Sequence, residues 1–319
     1  MTGIGVAGRQ KGRVLVRILV LGAGVIGSVY ASELLRAGHE VVLFARGRRL
    51  ADLRAHGLVL ADAESATESV QRVTAVSEIP AGKQFDLVLV PVRAGQLLDV
   101  LPLLSAMTDQ SDVLFFGNIG DHAPELVSTL GDRALFGFPA AGGIRDGAVV
   151  RYARINQQKT MVGEPDGAAT ARARKWQQVL IGAGFPTVVS ADIGAWLTGH
   201  AAFVVPIARA LQRVGVDARQ LGADPQTVRL MVLSTREAFS ALRAIGNREI
   251  PGNLRLLYGL PTPLVIAYWR RVFKGPRGEL WFGAHTRAAP EEMDALAQHL
   301  QRAVQRTGRP TPNLDRLLA

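Results

Sequence analysis

The chain has 319 residues, 48% of them hydrophobic, a formal net charge of +10 and no cysteine. That length suits two domains with sizeable cores, and the missing thiols exclude disulfides and cysteine-ligated metal sites. Histidine is scarce and shows no metal-ligand spacing, so no metal is expected. A basic excess can mean nucleic acid. Here arginine is spread along the chain without aromatic interleaving and lysine is confined to positions 11, 83, 159, 175 and 274, which reads as an arginine-biased composition plus an anionic cofactor.

Residues 1–16 read as a disordered basic extension. Met1 to Lys11 are Gly-rich and lack the apolar core of a signal peptide. The longest apolar stretches are Phe85 to Leu104, interrupted by Arg93, Gly95, Asp99 and two prolines, and Trp196 to Val205, too short to span a bilayer. The expectation is a cytoplasmic protein with a small-molecule substrate and neither a nucleic-acid nor a membrane partner.

Arg17 to Leu21 is a short apolar run that reads as a buried strand. It flows into Gly22, Gly24 and Gly27 in the spacing G-x-G-x-x-G, and an Ala-rich helix follows over 25–37. Strand, glycine turn and helix in that order form the context of a dinucleotide-binding fingerprint. Gly22 makes the tight turn, Gly24 lets the backbone approach a pyrophosphate, and Gly27 lets helix and strand pack closely. Val25 and Ile26 open the helix, whose free N–H groups and positive dipole end face the phosphates.

A second strand is expected over 40–45. Enzymes selective for NAD carry Asp or Glu at its end, whereas this chain has Ala45-Arg46-Gly47-Arg48-Arg49, with no carboxylate before Asp52. Arginine pairs with phosphate in a bidentate fork. NADP(H) is therefore the predicted cofactor, with Arg46 as its main contact; Arg48 and Arg49 read more readily as a solvated basic turn.

A short helix near 48–55 comes next, then a small antiparallel excursion formed by 58–60 and 71–76. Asp86 to Pro91 reads as a central strand, followed by a helix from Ala94. Strands at 112–116 and 133–138 enclose a helix at 124–130. Alternating runs at 147–152 and 158–162, a helix at 168–182 and a strand at 186–189 complete an α/β unit. Such alternation predicts a Rossmann-type, doubly wound parallel sheet over residues 17–190. From Asp192, a plausible N-cap, amphipathic helices are expected at 192–214, 225–245, 262–274 and 290–307, giving an all-helical domain over 191–319. A cleft between two such domains is where substrate would sit.

With both halves read, the chain resembles the ketopantoate reductase family (2-dehydropantoate 2-reductases) over nearly its whole length. The glycine fingerprint and the arginine after the second strand match that family's NADPH site. Val90-Pro-Val-Arg93-Ala-Gly-Gln96 is similar to its valine–lysine–alanine–x–glutamine motif, with Arg93 where lysine is usual. Gly117-Asn118-Ile-Gly120 is similar to its asparagine–glycine turn, whose asparagine lies by the nicotinamide. Glu291-Glu292-Met-Asp294, followed by Thr307-Gly-Arg-Pro-Thr-Pro312, places Glu292 on the family's substrate-binding glutamate. The resemblance implies a C-terminal domain like that of 6-phosphogluconate dehydrogenase, used for substrate and dimer contacts, and hydride transfer from NADPH to a 2-oxo acid.

One departure affects the chemistry. The family's catalytic lysine lies early in the first helix of the second domain, with asparagines one and two turns on; here Trp196 to Pro206 contains neither. Ketone reduction needs a donor at the carbonyl oxygen. His200 is one candidate, although it shares a helical stripe with Trp196, Phe203, Ile207 and Leu211 and reads equally as a core histidine. His285 is a second; otherwise it is a helix-end surface residue. Glu292 either binds substrate, facing the cleft while Glu291 caps, or simply favours the start of its helix. Arg93 either grips a phosphate or the substrate carboxylate, or is a solvated strand end. The leading expectation is an NADPH-dependent reductase of a small 2-oxo acid or related carbonyl compound, as a possible homodimer. The alternative is a non-catalytic NADP(H)-binding sensor or scaffold.

Overall fold

The computed structural model describes residues 15–63, 65, 67–80, 82–107 and 110–319; the expected extension lies outside these except for Leu15 and Val16. Strands β1 (Arg17–Leu21), β2 (Glu40–Phe44), β3 (Leu58–Asp62), β4 (Glu68–Gln71), β5 (Thr74–Val76), β6 (Leu87–Val90), β7 (Asp112–Phe116), β8 (Ala134–Phe138), β9 (Ala141–Asp146), β10 (Val149–Arg154), β11 (Thr160–Gly163) and β12 (Thr187–Val189) form two sheets. The larger has eight strands in the order β12-β11-β8-β7-β6-β1-β2-β5; the smaller has four, in the order β4-β3-β10-β9. Helices α1 (Val25–Arg36), α2 (Gly47–His56), α3 (Leu97–Ser105), α4 (Ala123–Leu130) and α5 (Ala171–Gly182) accompany them.

The main sheet is parallel except where β11 runs antiparallel to β8. Its central strand β1 pairs with β2 on one side and β6 on the other, Leu19 standing between Val42 and Val88. Successive side chains of a strand point to opposite faces. Ile18 and Val20 accordingly enter one core with Val29, Tyr30 and Leu34 of α1. Leu19 and Leu21 enter another with Leu97 and Leu101 of α3 and Leu126 of α4. Both faces are buried, as a parallel sheet requires. The small sheet covers the far side of α1, adding Leu58, Leu60, Val150 and Tyr152 to the first core. Tyr30 stacks on Phe185 at 3.8 Å, and its hydroxyl meets Thr160 Oγ1 at 2.6 Å. That contact fixes α1 against the sheet.

The small sheet corrects two expectations. The 71–76 run is not one arm of a hairpin: β4 pairs with β3, whereas β5 leaves to join β2 at the edge of the main sheet. The 147–152 run is β10, paired with β3 and β9 outside the main sheet. β9 itself was not anticipated, because Gly142 and Gly143 disguise it. Its partner is β10, the other arm of the same hairpin, and that pairing supplies the energy that local propensity lacks.

After β12 the chain is helical. α6 (Ile193–Arg213) starts at Asp192, whose carboxylate accepts from Ala195 N at 2.8 Å, as an N-cap does. α8 (Pro225–Ala244), α10 (Thr262–Lys274) and α13 (Pro290–Gln305) match the expected amphipathic helices. α7 (Ala218–Ala223), α9 (Gly252–Gly259), α11 (Pro276–Gly278), α12 (Ala284–Ala288) and α14 (Pro312–Leu318) lie where Gly and Pro suggested only joins; a π-turn at Glu279–Gly283 links α11 to α12. These helices share a core built on Phe203, Leu211, Met231, Phe239, Trp269 and Leu300. Ile193 and Trp196 instead pack into the sheet core, seating the start of α6 on the α/β half. No helix among the described residues is long and apolar enough to cross a membrane. Among the same residues no group of His, Asp and Glu could hold a metal ion.

Candidate active site

The strand order reverses between β1 and β6, and the crevice outside the carboxyl ends of those strands is where ligands bind in open α/β sheets. A cleft of about 1060 Å³ opens there. Gly22 leaves β1 at φ +133°, a backbone conformation side chains rarely adopt, against Val92 of the β6 exit. A Cβ on Gly27 would collide with the Gly22 carbonyl and approach Pro91 at 3.0 Å, so the helix can start this close to the strand only with glycine. Gly24 is different: a Cβ there meets nothing within 4 Å. It is the N-cap of α1, and the space beside it belongs to the cleft, along with Val25 and Ile26. Such a cradle fits a pyrophosphate, whose oxygens would accept from the unsatisfied first-turn amides.

At the end of β2, Arg46 is exposed, lines the cleft and lies over the Phe44 ring at 5.1 Å. Arg48 is exposed. Arg49, expected as part of a solvated turn, is instead buried: its guanidinium donates to the Ala23 carbonyl at 3.0 Å, to Ser28 Oγ at 3.1 Å and to the Ala148 carbonyl at 2.9 Å. It ties the glycine turn to the β9–β10 hairpin. The same hairpin brings Arg145 to this end of the cleft, where its charge, after burial, lowers the Arg49 pKa. Sequence reading missed Arg145, since only the β9–β10 register reveals its position. The donor set, Arg46 with Arg145, suits a phosphorylated ribose.

Arg93, Gln96 and Asn118 sit at the exits of β6 and β7 and line the cleft. The exposed Arg93 side chain has no hydrogen bond or ion pair among the described residues. Asn118 Nδ2 donates to Glu292 Oε1 at 2.6 Å. Glu292 stands in the first turn of α13, after Pro290, and is only 8% exposed. Its second oxygen, Oε2, is buried without a partner. Glu291 is exposed and makes no capping bond, contrary to the expectation for it. A second tie lies nearby: Asp121, also after β7, bonds His299 Nδ1 of α13 at 2.7 Å and pairs with Arg302.

The opposite wall is α6, which presents His200, Phe203, Val204, Ile207 and Ala208 to the cleft. His200 is 6% exposed and caged by Phe138 at 4.2 Å and Trp196 at 5.2 Å, the latter stacked. Burial, helped by the charge of His285, pushes its imidazole down to about 3. It is therefore a neutral ring near pH 7, and its Nδ1 has no partner. His200 is thus a buried member of an aromatic cluster that also borders the cleft. His285 is exposed on α12 and lines the same space. The structure thus brings the glycine turn, Arg46, Arg93, Asn118, His200, His285 and Glu292 around one cleft.

Residues 18–167 match the ketopantoate reductase PanE/ApbA family model. Through this segment the chain is similar to the ketopantoate reductase family. A 2-dehydropantoate 2-reductase of Mesorhizobium japonicum is 25% identical, the match covering 95% of this chain and 96% of that protein. One from Pyrococcus horikoshii is 26% identical over 56% of this chain, which there spans 58% of its relative's length. Among solved structures, a 2-dehydropantoate 2-reductase of Geobacter metallireducens superposes with TM-score 0.77 at 17% identity, over 95% of this chain and 97% of that one. D-mandelate dehydrogenase, solved with NADH and anilino(oxo)acetate, gives 0.71 at 18%, over 95% and 96%. These structural likenesses establish the shared Rossmann-type fold with its helical C-terminal region.

Proposed function

We propose that the protein is a cytoplasmic NADPH-dependent reductase of a small 2-oxo acid or related carbonyl compound, ketopantoate reductase-like but with a different substrate. The observation that carries this reading is the Asn118–Glu292 pair. It joins the strand end of the nucleotide-binding half to the helical half and leaves Glu292 Oε2 unsatisfied at the cleft. A buried acceptor without a partner is costly unless a ligand supplies the donor.

We assign residues 17–190 to cofactor binding and 191–319 to substrate and self-contact. Gly22, Gly24, Val25, Ile26 and Gly27 would hold the pyrophosphate, Arg46 the 2′-phosphate, and Arg93 and Asn118 the far end. Bound there, NADPH supplies a hydride; hydride to the carbonyl carbon and a proton to its oxygen give the 2-hydroxy acid and NADP⁺. Neutral His200 would donate N–H to the carbonyl oxygen as charge develops there, a role a neutral imidazole can fill. Glu292 would accept from the alcohol, and His285, open to solvent, would relay the proton. A second copy has a surface available: Leu256, Leu260, Leu264 and Tyr268 stand exposed at four-residue intervals on α9, α10 and their joint, and light scattering of the purified protein tests the dimer.

A non-catalytic sensor is the second reading, favoured by an α6 wall with neither lysine nor asparagine. Fluorescence titration with NADPH, followed by its oxidation with a panel of 2-oxo acids and ketones, separates the two. Binding with turnover supports the reductase; tight binding without turnover across the panel establishes the sensor; no binding removes both.

A further inference from the structure

The cleft has a chemical polarity of its own. Within its helical half, every α6 residue except His200 is apolar: Phe203, Val204, Ile207 and Ala208 cover two turns without one hydrogen-bonding side chain. The π-turn opposite adds Leu280, Trp281 and Phe282, and Phe203 meets Phe282 at 6.0 Å; Glu279 of that turn is ion-paired with Arg287, and Trp281 Nε1 is buried without a partner. The polar groups that would meet the reacting end of the substrate (Asn118 and His200 as donors, Glu292 as acceptor) come from the strand exit, the early part of α6 and the start of α13. A hydroxyl held against the α6 wall would be stripped of water and find no partner on it, which is unfavourable. An alkyl or aryl group placed there gains from leaving water.

We infer that this half of the site takes 2-oxo acids whose side chain is a large alkyl or aromatic group, and disfavours those whose side chain carries a hydroxyl. The inference rests on the proposed reductase activity and narrows its substrate.

The test measures kcat/KM with NADPH for phenylpyruvate and 4-methyl-2-oxopentanoate against ketopantoate, which bears a hydroxyl, and pyruvate, which has almost no side chain. Apolar pockets typically discriminate by roughly 10- to 200-fold per group accommodated. The apolar acids are therefore expected to lead ketopantoate and pyruvate by at least about tenfold. The double variant Val204→Asn/Ala208→Asn, which places two amides on the α6 wall, is expected to reduce that ratio by a similar factor. As a readout independent of turnover, the same acids are titrated calorimetrically into the NADP⁺-loaded protein, the apolar ones binding more tightly. Equal or better turnover or binding of ketopantoate overturns the inference while leaving the reductase reading intact. Failure of every acid to bind the loaded protein also overturns it, with cofactor binding intact. Failure of NADPH itself to bind removes the reading on which it rests.

Discussion

Asn118, at the exit of β7, and Glu292, at the start of α13, are joined by a 2.6 Å hydrogen bond across 174 positions of sequence. The bond is between an amide donor and a carboxylate in a half-buried setting, and hydrogen bonds to charged groups contribute about 1.5–3 kcal/mol. Asn118→Ala is expected to lower both stability and kcat/KM, the latter roughly 10- to 100-fold. Asn118→Asp, which sets two carboxylates side by side, is expected to be worse. Urea denaturation alongside steady-state kinetics checks both; a kcat/KM unchanged in Asn118→Ala would remove the pair from the site.

The buried imidazole of His200 makes stability depend on pH. Its folded-state pKa, about 3, lies below its ordinary value of 6.5, so below 6.5 the unfolded chain binds the proton more readily. His200's contribution is complete above about 6.5 and is lost progressively towards 3, by roughly 1.4 kcal/mol per pH unit. His200→Gln is expected to flatten the stability curve between those limits relative to wild type, as read from denaturation midpoints over pH.

Turnover gives a separate reading of the same residue. A donor that is already neutral leaves no ionisation of its own in the activity profile between about pH 5 and 8. His200→Ala is expected to cut kcat by about 100- to 1000-fold, the usual cost of losing one donor to a developing oxyanion. A wild-type profile with an acid limb near 6.5 that vanishes in His200→Gln would show instead that the ring works in its charged form.

The three fingerprint glycines separate folding from binding. Gly24→Ala fits the free protein, since its Cβ has open space, and its φ of −71° suits alanine. Stability should stay within about 0.5 kcal/mol, while NADPH affinity falls because the methyl stands where a phosphate must approach. Gly27→Ala collides with the Gly22 carbonyl and should destabilise the fold itself. Thermal melts with and without NADPH distinguish the two; a Gly24→Ala protein that binds normally would argue against a pyrophosphate at this turn.

Arg46 and Arg145 reach one end of the cleft from different sheets. Removing either is expected to weaken NADPH roughly 10- to 100-fold, at about 1.5–3 kcal/mol per charge-assisted contact, and to leave NADH nearly unchanged. Equal losses for both cofactors would assign these arginines to the pyrophosphate or to nothing.

What the sequence disclosed and what it hid follow one physical division. The β1–glycine–α1 unit was legible because strand, turn and helix are consecutive and each glycine answers a local steric demand. Asp192 was legible as a cap for the same reason. β9 was not, because its pairing with β10 overrides its weak intrinsic strand preference, and Arg145 was hidden with it. β5 and β4 looked continuous because only the third dimension sends them to different sheets. The short helices α7, α9 and α14 are stabilised by tertiary packing rather than by their own periodicity. In the cleft, Asn118 and Glu292 were singled out separately through the family resemblance, but nothing in the sequence predicted that they touch. Arg49 was misjudged because a guanidinium in a basic run looks solvated until its three acceptors, two of them buried, are found around it.

Arg49 has a consequence for kinetics. By stapling the Ala23 carbonyl and Ser28 to the Ala148 carbonyl, it holds the nucleotide seat in shape before any visitor arrives. Little ordering of the loop is then left for the moment of encounter, and the association rate should be governed by diffusion and by the positive field around the entrance rather than by the slow assembly of a receptive conformation.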